Sequence, residues 1–208
     1  MDPNPAIMRG IDHLIEHDPV LSNVIARYPA PSLVAHENYF ESLVKSIISQ
    51  QLSVKAAATI TKRFIESFDS FPMPEMILQR DELSLRTTGL SRQKITYIKD
   101  LSDKTHSGSI DFRNIEQLSN QDIVELLTQV KGIGEWTVHM FLIFCMGRLD
   151  VLPTGDLGIK NGIRGLYDLD ENPNPQDIAE IARIHRWYPY ESIASWYIWR
   201  SLENKPDM

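Results

Sequence analysis

Asp156 closes the stretch Leu152-Pro153-Thr154-Gly155-Asp156 and stands at the predicted start of a helix. Free backbone N–H groups and the helix dipole favour a negative side chain at such a position. Upstream, Lys131-Gly132-Ile133-Gly134 forms a tight turn between two apolar helical segments. With no Cβ at Gly132 and Gly134, that turn can bring backbone N–H groups within reach of a phosphate. The same pattern also serves as a plain connection between helices, since glycine commonly closes a helix. Asp156 could likewise be only a cap, although capping and chemistry are compatible at one carboxylate. Together the two features suggest a protein that grips a DNA backbone and does chemistry beside it.

Other side chains could contribute. Trp136 opens the helix after the turn, Met140 lies one turn further on, and Trp199 lies on an apolar C-terminal segment. Each belongs either to a ligand pocket or to the core. Gln50-Gln51-Leu52-Ser53 separates two helical segments and is either an ordinary turn or a recognition loop. The six histidines show no metal-ligand spacing such as HExxH, and there is no Walker loop or GxGxxG. A lone Cys145 excludes a disulfide framework and any Cys-ligated zinc or iron–sulfur site within the chain.

The elements that must position these residues read as helices. Segments 6–17 and 19–27 are predicted helical and are closed by Pro29-Ala30-Pro31. From His36 to Gln50, residues Phe40, Leu43, Val44, Ile47 and Ile48 fall on one helical face. Ser53 can cap a helix over 54–67, Asp81 one over 82–87 and Ser91 one over 92–106, with a short helix near 74–79. Asn120 starts the helix leading into the glycine turn. Helices are expected from Asp156 to about Tyr167, near 175–186, and from about Pro189 to Glu203. Strand-like alternation is nearly absent, so the fold class is all-α.

At 208 residues and 42% hydrophobic, the chain can build one substantial core or two small lobes. No apolar run approaches the roughly 20 residues that span a bilayer. MDPNPAIMRG lacks the basic region and apolar core of a signal peptide, so no membrane partner is expected. The absence of disulfides suits a reducing compartment. That is the cytoplasm in a prokaryote or the nucleus in a eukaryote. A net charge of −7 argues against a nucleic-acid partner at first sight. However, acids crowd both ends (Asp2, Asp12, Glu16, Asp18; Asp168, Asp170, Glu171, Asp177). Lys45, Lys55, Lys62, Arg63, Arg86, Arg92, Lys94, Lys99 and Lys131 are spread through the middle. Distribution matters more than the sum.

LLTQVKGIGEWTVHMFLIF followed by LPTGDLGIKNG resembles the helix-hairpin-helix and Gly/Pro-rich-loop-Asp signature of the HhH-GPD DNA glycosylase superfamily. Within it, the chain looks most like the alkylbase branch, the 3-methyladenine DNA glycosylase II type. SIISQQLSVKAA, TTGLSRQKITYI and RWYPYESIASWYIWRS fit in the same order, so the resemblance spans about residues 36–202. It implies one HhH-GPD domain over 1–208 with two helical lobes and a cleft. Lobe one would cover about 31–150, and lobe two about 1–30 with 151–208. The chain looks like the short form, without the extra N-terminal domain that some bacterial relatives carry.

The resemblance also implies roles. Asp156 becomes the catalytic carboxylate, which stabilises an oxocarbenium-like sugar or positions water as the base–sugar bond breaks. Lys131, Gly132, Ile133 and Gly134 would hold the DNA backbone, and Trp136, Met140 and Trp199 would line the base pocket. In relatives that also cleave the strand, the position of Trp136 is a lysine that attacks the sugar as an amine. An indole cannot, which implies no lyase activity. Gln50, Gln51, Leu52 and Ser53 would supply the wedge that fills the gap left by a flipped nucleotide. Gln51 takes the position of an apolar wedge in one branch, so either Leu52 is the wedge or Gln51 probes the opposite base. Backbone carbonyls of Thr128, Val130 and Ile133 would hold a structural Na+ or K+, with no other cofactor and no iron–sulfur cluster.

The function implied is excision of alkylated bases such as 3-methyladenine and 7-methylguanine from double-stranded DNA, leaving an abasic site, by a monomer. The alternative is a glycosylase-like protein with little excision activity that binds and bends abasic-site DNA. An unrelated helical protein–protein module would show no DNA affinity.

Overall fold

The computed structural model describes residues 4–202 apart from 34 and 37. Among the described residues there are twelve α-helices, one 3-10 turn and no strand, which establishes the all-α class. The helices form two compact units: Met1–Ala35 with Leu142–Met208 (terminal unit), and His36–Phe141 (central unit). None of the helices is long and apolar enough to cross a membrane.

In chain order, α1 (Pro5–His17) and α2 (Pro19–Ile25) belong to the terminal unit. The central unit holds α3 (Tyr39–Ser49), α4 (Val54–Glu66), α5 (Pro74–Gln79), α6 (Glu82–Thr87), α7 (Arg92–His106), a 3-10 turn (Ile115–Gln117) and α8 (Asn120–Leu127). The unit boundary falls inside α9 (Glu135–Phe144), after which α10 (Leu157–Leu166), α11 (Pro175–Ile184) and α12 (Glu191–Ser201) complete the terminal unit. Residues 31–35 and 142–150, expected in lobe one, group with the terminal unit. Two local contacts account for this. A Cβ at Gly147 would sit 3.3 Å from the Ala35 nitrogen, and the Leu149 carbonyl accepts the Ser192 N–H at 2.9 Å.

Caps set the helix ends. Ser53, Asp81 and Ser91 each accept a backbone N–H from the first turn of α4, α6 and α7. Asn38 caps α3, so that helix begins at Tyr39 rather than His36. Ser119 and Asp122 form a reciprocal capping box on α8. The central core gathers Leu43, Val44, Ile47 and Ile48 of α3 with Ile95, Ile98 and Leu101 of α7, all essentially sealed from solvent. Each such side chain contributes roughly 1.5–3 kcal/mol by leaving water.

The terminal unit is built around α12, whose Ile193, Ala194, Tyr197 and Ile198 are buried. It also encloses Asp18, which has no exposure at all. Oδ1 accepts the N–H groups of Val20 and Leu21, each at 2.9 Å, and so caps α2. Oδ2 accepts the Tyr167 hydroxyl and the Trp187 indole N–H, the latter at 2.7 Å. A buried carboxylate is tolerable because every lone pair is engaged. Burial, then the neighbouring Asp18 charge, pushes the Tyr167 hydroxyl far above its ordinary range, so it remains a donor.

Candidate active site and nucleic-acid interface

In the central unit, the peptide after α8 turns sharply. The Ile133 N–H donates to the Val130 carbonyl at 3.1 Å and closes the turn. Gly132 has φ +80°, and a Cβ there would fall 2.0 Å from Cδ2 of Tyr97 on α7. Only glycine satisfies both conditions. The Lys131 N–H is not available to a ligand, because it donates to Asp100 Oδ2 at 2.9 Å. The Gly132 and Gly134 N–H groups have no acceptor among the described residues. The turn therefore offers two donors, at the glycines, rather than four. Around Gly134 an added Cβ would meet nothing within 4 Å.

The loop after α3 is tied to this turn. Gln50 Nε2 donates to the Gly132 carbonyl at 2.8 Å. Lys94 Nζ, from α7, donates to the carbonyls of Ile48 and Gln50 at 2.6 and 2.7 Å. A cation at a helix C-terminus is favoured by the helix dipole, whereas partial burial pulls the Lys94 ammonium below its ordinary range. Gln51, held between these anchors, has φ +57°. That left-handed conformation costs a residue with a Cβ about 1–2 kcal/mol. Ser53 is committed to capping α4 through the Ala56 N–H at 3.3 Å. Of the four wedge candidates, Gln50 and Ser53 thus serve the fold. Gln51 and Leu52 present exposed side chains.

Gln50, Gln51, Lys94, Tyr97, Trp136 and Met140 share the wall of one recess of about 550 Å³. Trp136 is 53% exposed, which removes the alternative that it is a core tryptophan. Met140 is half-buried at the same recess.

In the terminal unit, Asp156 caps α10. Its Oδ1 accepts the Ile159 N–H at 2.8 Å and the Trp199 indole N–H at 2.9 Å. Gly158 and Gly162, one turn apart on α10, allow α12 to approach. A Cβ on the first would lie 2.9 Å from Trp199 Cδ1, and on the second 2.4 Å from Ile198 Cγ2. The Trp199 ring packs against Phe144 with centroids 5.8 Å apart. The polar edge of Trp199 thus holds the carboxylate.

The profile of the family described as "HhH-GPD superfamily base excision DNA repair protein" matches residues 44–186. The chain belongs to this superfamily. Among HhH-GPD relatives, DNA-3-methyladenine glycosylase 1 of Schizosaccharomyces pombe is 38% identical over 184 residues, 87% of this chain and 80% of that protein. The solved structure of S. pombe 3-methyladenine DNA glycosylase (Mag1) in complex with abasic DNA matches with TM-score 0.78 and 35% identity, covering 96% of this chain and 99% of that one. A DNA-3-methyladenine glycosidase from Bacillus halodurans matches with TM-score 0.83 and 35% identity, over 92% and 88% of the two chains. The HhH-GPD match includes the Gln50–Ser53 loop, the glycine turn and Asp156 but stops before Trp199.

The sequence pointed to no site role for Lys94, Tyr97, Asp100 or Phe144. The first three follow one another at three-residue intervals on α7, a stripe beside the buried face at Ile95, Ile98 and Leu101. That spacing was visible, but the partners were not. Among the described residues, no group of three or more His, Cys, Asp or Glu side chains could hold a metal ion.

Proposed function

We propose that this HhH-GPD protein is a monofunctional DNA glycosylase that flips alkylated bases, of the 3-methyladenine and 7-methylguanine type, out of duplex DNA and hydrolyses the base–sugar bond. The observation that carries this reading is the Asp156 carboxylate, fixed by the Ile159 N–H and the Trp199 indole. As the bond breaks, the sugar gains oxocarbenium character. A carboxylate held in advance then stabilises that charge without reorganising at the moment of reaction. An alkylated base is often cationic, with a weakened glycosidic bond, and the exposed indole of Trp136 suits a cationic ring. Gly132 and Gly134 supply the N–H groups for a backbone phosphate, and Gln51 with Leu52 fills the vacated stack.

Trp136 has no amine to attack the sugar. Lys94 at the same recess is tied to the carbonyls of Ile48 and Gln50, so its nitrogen is held by the fold. Both favour hydrolysis without strand cleavage. The backbone oxygens of Thr128, Val130 and Ile133 are neutral and hard, a donor set suited to Na+ or K+. Val130 gives one lone pair to the Ile133 N–H and keeps a second. A bound ion would add positive charge beside the phosphate. The enzyme acts as a monomer on double-stranded DNA.

The test is release of methylated purines from alkylated DNA, run beside an abasic duplex with borohydride to trap any Schiff base. Base release with no trapped adduct is expected. No release above buffer would defeat the enzymatic reading, leaving the abasic-DNA binder if abasic affinity persists. A trapped adduct would defeat the monofunctional one.

Two variants probe the parts. Gly134→Asp fills open space, so helical circular dichroism should be unchanged while affinity for abasic duplex falls at least about tenfold through blocked approach and added repulsion. Loss of the helical signal instead would mark the turn as purely structural. Trp199→Phe keeps the ring beside Phe144 but deletes the N–H donor to Asp156. It should lower single-turnover base release by about tenfold, in line with one hydrogen bond to a charged group at roughly 1.5–3 kcal/mol. An unchanged rate would show that the bond does not matter to catalysis.

A further inference from the structure

Asp100 is a carboxylate beside a turn that binds phosphate on the reading above, and on charge alone it is badly placed. Its side chain is only 13% exposed, and three groups converge on it. Oδ2 accepts the Lys131 N–H at 2.9 Å and a hydrogen bond from Lys104 Nζ at 2.8 Å, and Oδ1 lies 3.6 Å from Lys131 Nζ. Burial opposes its charge, but Lys104 and the Lys131 N–H outweigh burial and hold the carboxyl below its usual range. The two lysines leave little net negative field at the turn.

The bond to Lys131 has a specific mechanical effect. The peptide joining Val130 to Lys131 is planar, so fixing both of its polar ends fixes its orientation. Its carbonyl accepts the Ile133 N–H and its N–H donates to Asp100. That rigid first plane leads directly into Gly132, where φ is +80° and the backbone is otherwise the most permissive in the turn. We propose that Asp100 is a positioning residue for DNA binding, which anchors the Val130–Lys131 peptide and thereby aims the Gly132 and Gly134 N–H groups at a phosphate. The proposal rests on the hairpin being the phosphate site.

Positioning and charge predict opposite signs. Removing a negative group near bound DNA should tighten binding if Asp100 acts only through its field. If it positions the turn, the loss of its acceptor should weaken binding despite the removed repulsion. The experiment measures fluorescence-anisotropy affinity of full-length protein for an abasic-analogue duplex across a salt series. The variants are Asp100→Ala, Asp100→Asn and Gly134→Asp. Asp100→Ala should weaken binding five- to twentyfold at each salt concentration. Asp100→Asn keeps an acceptor for Lys131 and should stay within about threefold of wild type. Single-turnover base release at saturating protein should be unchanged in both, with the loss confined to the half-saturating concentration.

A merely structural defect would not produce the Ala–Asn split or spare the rate at saturating protein. Asp100→Leu, which also withdraws the acceptor, carries the same expectation should the alanine variant not fold. Binding by Asp100→Ala as tight as wild type, while Gly134→Asp is impaired, overturns the proposal alone. If Gly134→Asp also binds normally, the phosphate-turn reading fails and takes the proposal with it.

Discussion

Asp156→Asn is expected to lower single-turnover release of methylated purines by about 10²–10³-fold, or about 2.7–4 kcal/mol of transition-state stabilisation. Affinity for abasic duplex should stay within about threefold of wild type. The substitution is close to isosteric. The asparagine oxygen can still accept the Ile159 N–H and the Trp199 indole, the two bonds that define the carboxylate's position. What disappears is the charge that, on the proposed mechanism, faces an oxocarbenium-like sugar. A variant that folds, binds and does not turn over would therefore separate chemistry from recognition. Equal rates for mutant and wild type would remove Asp156 from the mechanism.

The second large effect is on stability. Asp18→Ala strands the N–H groups of Val20 and Leu21, the Tyr167 hydroxyl and the Trp187 indole in the core of the terminal unit. Each buried donor left without an acceptor costs about 1–3 kcal/mol, so the loss should reach about 3–5 kcal/mol. At roughly 2–4 °C per kcal/mol for a protein of this size, the melting temperature should drop by roughly 10 °C. Asp18→Asn should cost less, about 1–3 kcal/mol. Its carbonyl can still cap α2, but its amide opposes the Trp187 N–H, which can only donate. Thermal circular dichroism of the three proteins checks the order. If the alanine variant melts within about a degree of wild type, the cluster contributes no net stability.

The legible parts of this molecule are those encoded locally. Ser53, Asp81 and Ser91 announced α4, α6 and α7 because a cap and its helix are neighbours in sequence. The 3-10 turn at Ile115–Gln117 was not foreseen, since three residues are too few to show a period. The glycine turn and Asp156 could be read for the same local reason. Their supports could not. Lys131 meets Asp100 across 31 positions, Trp199 meets Asp156 across 43, and Lys94 meets Gln50 across 44. Such pairings exist only once helices have packed. Gln51 is a related case: nothing in its type suggests a left-handed backbone, which the Lys94 and Gln50 anchors hold in place.

The terminal unit is made from two separated stretches of chain, and this dictates an order of assembly on the ribosome. Tyr167 and Trp187 follow Asp18 by 149 and 169 residues. At about 5–20 residues per second, α1 and α2 wait roughly 7–30 s for those partners. Meanwhile the apolar side chains Ile7, Ile11, Leu14, Leu21 and Val24 have nowhere to bury and are a target for holdase chaperones. The central unit is one continuous segment and can close during that interval. The nascent protein thus acquires its glycine turn and recess early, and the indole that holds its carboxylate only when α12 emerges.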